Sequence, residues 1–268
     1  MEIGSVENVE VNVGNNFSYN TQEAKERKLS KPIKINDDYN WDSAAGILTE
    51  GIELEKQRLY EEAREKCEQV LKRDVANTEA LTRMAGLCYR CMEFKKANDF
   101  AMKALANDTY HPEANYIFGL VSKQLGKKYD ALDAFSMAAR SVSYRSVANA
   151  QIAAIYFTDG EMQKCLKYAE QSLDYDRYSI KALKLKALAF EKTGQLQNRE
   201  SVLNEILKID PLNAFARFEK KDDFDKVLNY EMPDQICLEL AISYYNLGLN
   251  DKAVQVLKST KEIPLINF

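Results

Sequence analysis

The chain has one histidine, one tryptophan, ten glycines and five prolines among 268 residues. So few turn-forming residues disfavour an all-β fold, which needs many tight turns. A nucleophile–histidine–acid triad would have to use His111, and the sequence has no glycine-rich nucleophile elbow for it to serve. Lying directly before Pro112 at a helix start, His111 reads instead as a turn residue. No GxxxxGK[ST] or strand-borne GxGxxG is present to cradle phosphate, and no DxDxDG loop to hold calcium. No apolar run approaches the ~18 residues of a membrane-spanning helix. The start, "MEIGSVENVEVNVGNN", lacks the basic and apolar regions of a secretory signal. The chain is therefore expected to be soluble and cytoplasmic, with no membrane partner.

Charge of one sign is also scarce. The formal net charge is −4 and the pI about 5.4. That balance provides no field for gathering phosphates, so nucleic acid is not expected as a partner. The cysteine count is odd: Cys67, Cys88, Cys91, Cys165 and Cys237 all fall in apolar helical patterns and read as small buried hydrophobes. Cys88 and Cys91 form a CxxC inside a helix, both expected on the apolar seam. No second CxxC or histidine pair supplies the remaining ligands of a zinc site. Acidic stretches such as "EEAREKCE" and "KKDDFDK" place opposite charges three or four residues apart, which solvates a helix face. Neither a cofactor nor a metal is expected.

The chain does contain a period. From Ala63, steps of 34 residues reach Ala97, Ala131, Cys165 and Arg199. Twelve residues before each lies a small residue: Gly51, Ala85, Gly119, Ala153 and Ala187. Within a unit, apolar residues recur at three and four, the helical spacing. Gly126, Gly160 and Gly194 mark mid-unit breaks where one helix ends in a left-handed residue and the next begins. Such a hairpin cannot bury its apolar face alone, but a stack of them can.

These columns resemble the tetratricopeptide repeat (TPR), with Phe135 and Ala138 matching its downstream positions and "LKIDPLN" at 207–213 its terminal Asp-Pro. The resemblance implies an all-α, right-handed solenoid of about six hairpins, and the sequence ahead of it adds a short β-like N-terminal segment. Residues 1–42 form an extended or β-hairpin segment and linker, since "ENVEVNVGNNFSYNT" alternates valine with polar residues around a "GNN" turn. Residues 43–211 hold five units, 212–233 an insertion with short helices, 234–260 a sixth unit and 261–268 a truncated tail. Arg199, in an alanine column, implies a fifth hairpin that is looser or opens where the insertion docks.

"YHPEANYIFGL", "ALDAFSMAARSVSYRS", "DPLNAFARFE" and "LELAISYYNLG" also resemble the C-terminal region of a large bacterial family prominent in gut Bacteroidetes. Its members place a β-rich region, similar to carbohydrate-active enzymes, before a TPR array. Over about 44–260 the resemblance implies that this chain is the helical tail of a longer polypeptide, with no catalytic residue to carry over.

The expected function is a non-catalytic protein-binding scaffold with a concave groove. The TPR resemblance places Thr82, Tyr89, Tyr116, Lys123, Ala150, Phe157, Lys184 and Glu191 on its lining. The aromatic rings offer rigid contact area and the lysines could meet a carboxylate. An aromatic stripe at helical spacing also serves as core, so both roles stay open. The Lys/Asn clamp of chaperone-tail-binding TPR domains is absent, its positions holding Leu48 with Ile52, Thr82 with Gly86, and Tyr116 with Leu120. The partner is a protein or peptide, the β-rich body of a longer chain, or a second copy through uncapped end repeats. The rival reading is an accessory region that completes a carbohydrate-processing enzyme.

Overall fold

The computed structural model describes residues 10–13, 17–20, 40–221, 224 and 233–258. The chain divides into two compact units, Met1–Gly46 and Ile47–Phe268. In the first, β1 (Glu10–Val13) pairs antiparallel with β2 (Phe17–Asn20), Glu10 opposite Asn20 and Val13 opposite Phe17. The "GNN" stretch between the two strands lies outside the described residues. The linker beyond Asn20, most of the insertion after Lys221 and the tail at 261–268 lie outside the described residues.

Thirteen helices follow among the described residues. They are α1 (Ala44–Lys56), α2 (Tyr60–Arg73), α3 (Thr78–Arg90), α4 (Phe94–Asn107), α5 (Pro112–Gln124), α6 (Lys128–Ala138) and α7 (Val142–Thr158). Then come α8 (Met162–Leu173), α9 (Ile180–Lys192), α10 (Leu196–Ile209), α11 (Ala214–Lys220), α12 (Pro233–Tyr245) and α13 (Asn250–Leu257). The fold is a TPR-like α-solenoid: α1/α2 to α9/α10 are five successive hairpins, α11 stands alone, and α12/α13 is the sixth. From α3 to α9 each first helix also packs on the first helix of the next hairpin.

The turns repeat to the residue. Left-handed backbone occurs at Arg58 (φ 64°), Met92 (60°), Gly126 (72°), Gly160 (79°), Gly194 (75°) and Gly248 (73°), the first five spaced by 34. Each closes its first helix with a paired cap. Gly126 N–H donates to the Lys123 carbonyl at 3.2 Å and Lys127 N–H to that of Ser122 at 2.8 Å; Met92 and Glu93 do the same to Tyr89 and Cys88. Between hairpins, Asp74, Asp108, Asp176 and Asp210 each accept an N–H from two residues on, at 3.0–3.1 Å. Three residues later Asn77, His111 and Asn213 cap the next helix, His111 Nδ1 accepting from Ala114 N–H at 3.2 Å. The third turn breaks the pattern. Val142 stands in the aspartate column, α7 starts there, and Arg145 donates to the carbonyls of Ala139 and Arg140 instead.

The alanine columns lie at the hairpin seams. Ala97, Ala131, Ala153 and Cys165 are wholly buried, and a Cβ on Gly119 would come within 2.6 Å of the buried Phe135 ring. Arg199 has a definite role in the insertion. Its Nη2 donates to the Glu219 carbonyl at 2.9 Å and carboxylate at 2.6 Å, so the fifth hairpin holds α11 by an ion pair. One expectation needs correcting: the CxxC cysteines do not share a seam. Cys88 is buried, but Cys91 is exposed, because it caps α3 one residue before the left-handed Met92.

Candidate binding cleft

An open cleft of about 630 Å³ is walled by first helices of five hairpins. Tyr89 comes from α3; Leu120, Lys123 and Gln124 from α5; Gln151 and Ala154 from α7. Lys181, Lys184 and Leu185 come from α9, Glu239 and Ile242 from α12, and Asn246 from just past its end. A smaller cleft of about 430 Å³ adjoins it, sharing Lys184 and Glu239 and reaching Asp210 and Phe215.

Of the residues expected on the groove, Tyr89, Lys123 and Lys184 meet here. Tyr89 is steadied by the Phe94 ring at 5.8 Å, and Lys184 Nζ lies 5.3 Å from the Phe215 centroid. The others lie elsewhere. Thr82 is fully buried with its hydroxyl donating to the Thr78 carbonyl at 2.7 Å, and Ala150 and Phe157 are buried at 1% and 3% exposure. Tyr116 packs at a tilt against Phe135 and Tyr144, 5.7 and 5.5 Å away, and its hydroxyl accepts from the lining Gln151 at 3.4 Å. Glu191 accepts from Lys252 Nζ at 2.6 Å.

Lys181, Gln151, Leu185 and the whole α12 wall are additions to the sequence expectation. Each repeat column lines the cleft over only two successive hairpins: Tyr89 and Lys123 share one, Leu120 and Ala154 a second, Gln151 and Leu185 a third. Phe157, next in the column of Lys123, is buried. A fixed column therefore cannot follow the wall. The α12 contribution also depends on the offset of 54 residues between Gly194 and Gly248, whose geometry no repeat rule supplies.

The cleft is basic on an acidic protein. Lys123, Lys181 and Lys184 face one wall carboxylate, Glu239. Among the described residues none of the three has a carboxylate within ion-pair distance, whereas Lys66, Lys186, Lys220 and Lys252 each do. Protein surrounding the Lys181 ammonium, then its neighbour Lys123, lower its pKa to about 8. Burial lowers Lys123, and burial outweighs Asp210 and Glu239 in lowering Lys184. Lys181 is exposed by surface area, yet concave walls displace much of the water around its charge. Among the described residues no three His, Cys, Asp or Glu side chains converge as a metal site requires.

The neighbours of this chain are helical repeats. A family described as the TT21 fifth ARM repeats domain matches residues 43–157, less than half of the chain. PilF of Pseudomonas aeruginosa superposes with a TM-score of 0.61 at 16% identity, covering 80% of this chain and 90% of PilF. PilW, described as a widely conserved type IV pilus biogenesis factor, gives 0.60 at 17%, covering 86% and 100%. YrrB, described as a TPR protein with an unusual peptide-binding site, gives 0.54 at 18%, covering 68% and 94%. At these identities the likeness is one of fold. No curated protein matches the chain in sequence. Among the described residues no helix is long and apolar enough to cross a membrane.

Proposed function

We propose that the chain is a non-catalytic interaction scaffold that holds a segment of a protein partner in the cleft of the first helices. The observation that carries this reading is the cleft itself: five hairpins contribute to one open cavity where Leu120 and Ile242 lie beside lysines that make no ion pair among the described residues. A few hundred cubic ångströms with mixed lining suit a short segment, and rigid helices let binding avoid much ordering cost. The peptide-binding site ascribed to YrrB gives the same fold a precedent. The test is to pan the full chain against displayed random peptides and measure the selected peptides on Ile242→Ser. Ile242 is 56% exposed, so its loss leaves the core intact. Affinity should fall roughly tenfold, the worth of a modest anchor. Unchanged affinity, or no selected peptide, would reject the cleft.

The β1–β2 hairpin ahead of the array favours a second reading, in which the scaffold docks on a β-rich, carbohydrate-processing body of a longer bacterial polypeptide. Equal sugar turnover by that polypeptide with and without residues 44–268 would overturn it.

A further inference from the structure

Among the described residues three ammonium groups share one cleft with no carboxylate within ion-pair distance, Asp210 and Glu239 acting on Lys184 only from further off, in a chain with more acidic than basic residues, 41 against 37. Elsewhere the half-buried lysines are neutralised within the fold: Lys66 by Glu50, Lys186 by Glu170, Lys252 by Glu191 and Glu219. Gathering like charges in a concavity costs free energy, because the walls reduce screening by water. The cost is offset only when opposite charge enters. Beside the lysines lies apolar surface from Leu120 and Ile242.

Resting on the scaffold reading above, we infer that the occupant of the cleft is an acidic peptide segment of a protein partner. Its carboxylates pair with Lys123, Lys181 and Lys184, and an apolar side chain between them seats on Leu120 and Ile242. Carboxylate oxygens suit lysine, a point charge with three donors and no preference for a planar partner. Among the described residues no arginine lines this cleft, so an entering anion meets lysine point charges and not a bidentate fork. A nucleic acid would also carry its charge beyond the cleft onto a protein of net −4. Glu239 beside Lys184 sets polarity, repelling carboxylates from the α12 end and favouring an amide or hydroxyl there.

The experiment uses the full chain and fluorescein-labelled peptides of Glu, Leu and Gly, the same sequences with Gln for Glu or Lys for Glu, and a labelled single-stranded oligodeoxynucleotide. Polarisation should show the Glu peptide binding at least roughly tenfold tighter than the Gln peptide, with added salt erasing the difference. Triple substitution of Lys123, Lys181 and Lys184 by Gln should remove the preference, and by Glu should transfer it to the Lys peptide. That gain of binding cannot arise from unfolding. Equal Glu and Gln affinities, both lost on Ile242→Ser, would overturn the charge inference and leave the scaffold standing. Tighter, lysine-dependent binding of the oligonucleotide would overturn it in favour of nucleic acid. If no peptide binds here or in the panning, both readings fail.

Discussion

At the scale of the residue, the turn column separates conformation from chemistry. All six first helices of the hairpins end on a left-handed residue, but two of those residues, Arg58 and Met92, carry a Cβ that is strained there. Arg58 is exposed and Met92 is 75% exposed, so neither contributes burial to offset the strain. Arg58→Gly and Met92→Gly should each stabilise the chain by about 0.5–1 kcal/mol, the left-handed penalty less the added freedom of unfolded glycine. Lying one repeat apart, they should act additively. Thermal melts check this, expecting about 2–4 °C per kcal/mol for a chain of this size. A lower melting temperature in either variant would show that the side chain has a role its exposure does not reveal. The three interior glycines announce the turn in the sequence. Arg58 and Met92 do not, since their conformation is imposed by the hairpin that follows and contradicts their own preference.

At the scale of the element, α11 shows how the array accommodates its insertion. Arg199 stands where the repeat wants alanine, and the carboxylate it meets, Glu219, is 4% exposed. Lys252 of α13 reaches the same carboxylate at 2.8 and 2.9 Å, and Tyr244 of α12 donates its hydroxyl to it. One buried charge thus ties α10, α11, α12 and α13 together. Burial alone would raise the Glu219 pKa, but hydrogen bonds from Lys252 and Tyr244, the Lys252 charge and Arg199 prevail and lower it. A carboxyl lowered on folding contributes stability that is complete above its unfolded pKa and is lost as pH falls through its folded one. The knot should therefore hold at neutral pH and weaken below about pH 4.5, the ordinary carboxyl value. Glu219→Gln should cost roughly 2–4 kcal/mol at pH 7, less than a fully buried pair because Arg199 and Lys252 keep some solvent. Its melting temperature should also vary less between pH 6 and 3 than that of the parent. Equal slopes in the two proteins would mean that the knot does not govern the acid response. The arginine is plain in the sequence as a departure from its column. Its partner is not, because Glu219 sits in an insertion to which the period does not apply.

At the scale of the whole molecule, the period makes the solenoid legible, since each hairpin meets only its neighbours. The cleft emerges only from the stack: the TPR resemblance points to Lys123 and Lys184, but Lys181 lies outside the columns it marks. The electrostatics of that collection separate folding from binding. Facing Lys181 are Lys123 on α5, Lys184 on its own helix, Glu239 on α12, and the neutral Gln151 and Asn246, with Tyr89 beyond. Its pKa falls from 10.5 to about 8 on folding, so between those values the unfolded chain binds a proton that the folded chain lacks. Stability from this group therefore rises with pH across that window. Entering carboxylates act in the opposite sense: they restore the charge, so the acidic peptide should bind with proton uptake near pH 8 and weaken as pH climbs further. Cys67 and Cys165, pushed by burial to about 11 and about 12, oppose the stability trend once unfolded thiols ionise near pH 9. The informative interval is thus pH 7 to 9, read as the difference between the parent and Lys181→Gln. Melting curves should show the parent gaining on the variant as pH rises, and titration calorimetry in buffers of unlike ionisation heat should show proton uptake in the parent alone. Affinity and stability moving the same way with pH would show that Lys181 does not meet the peptide.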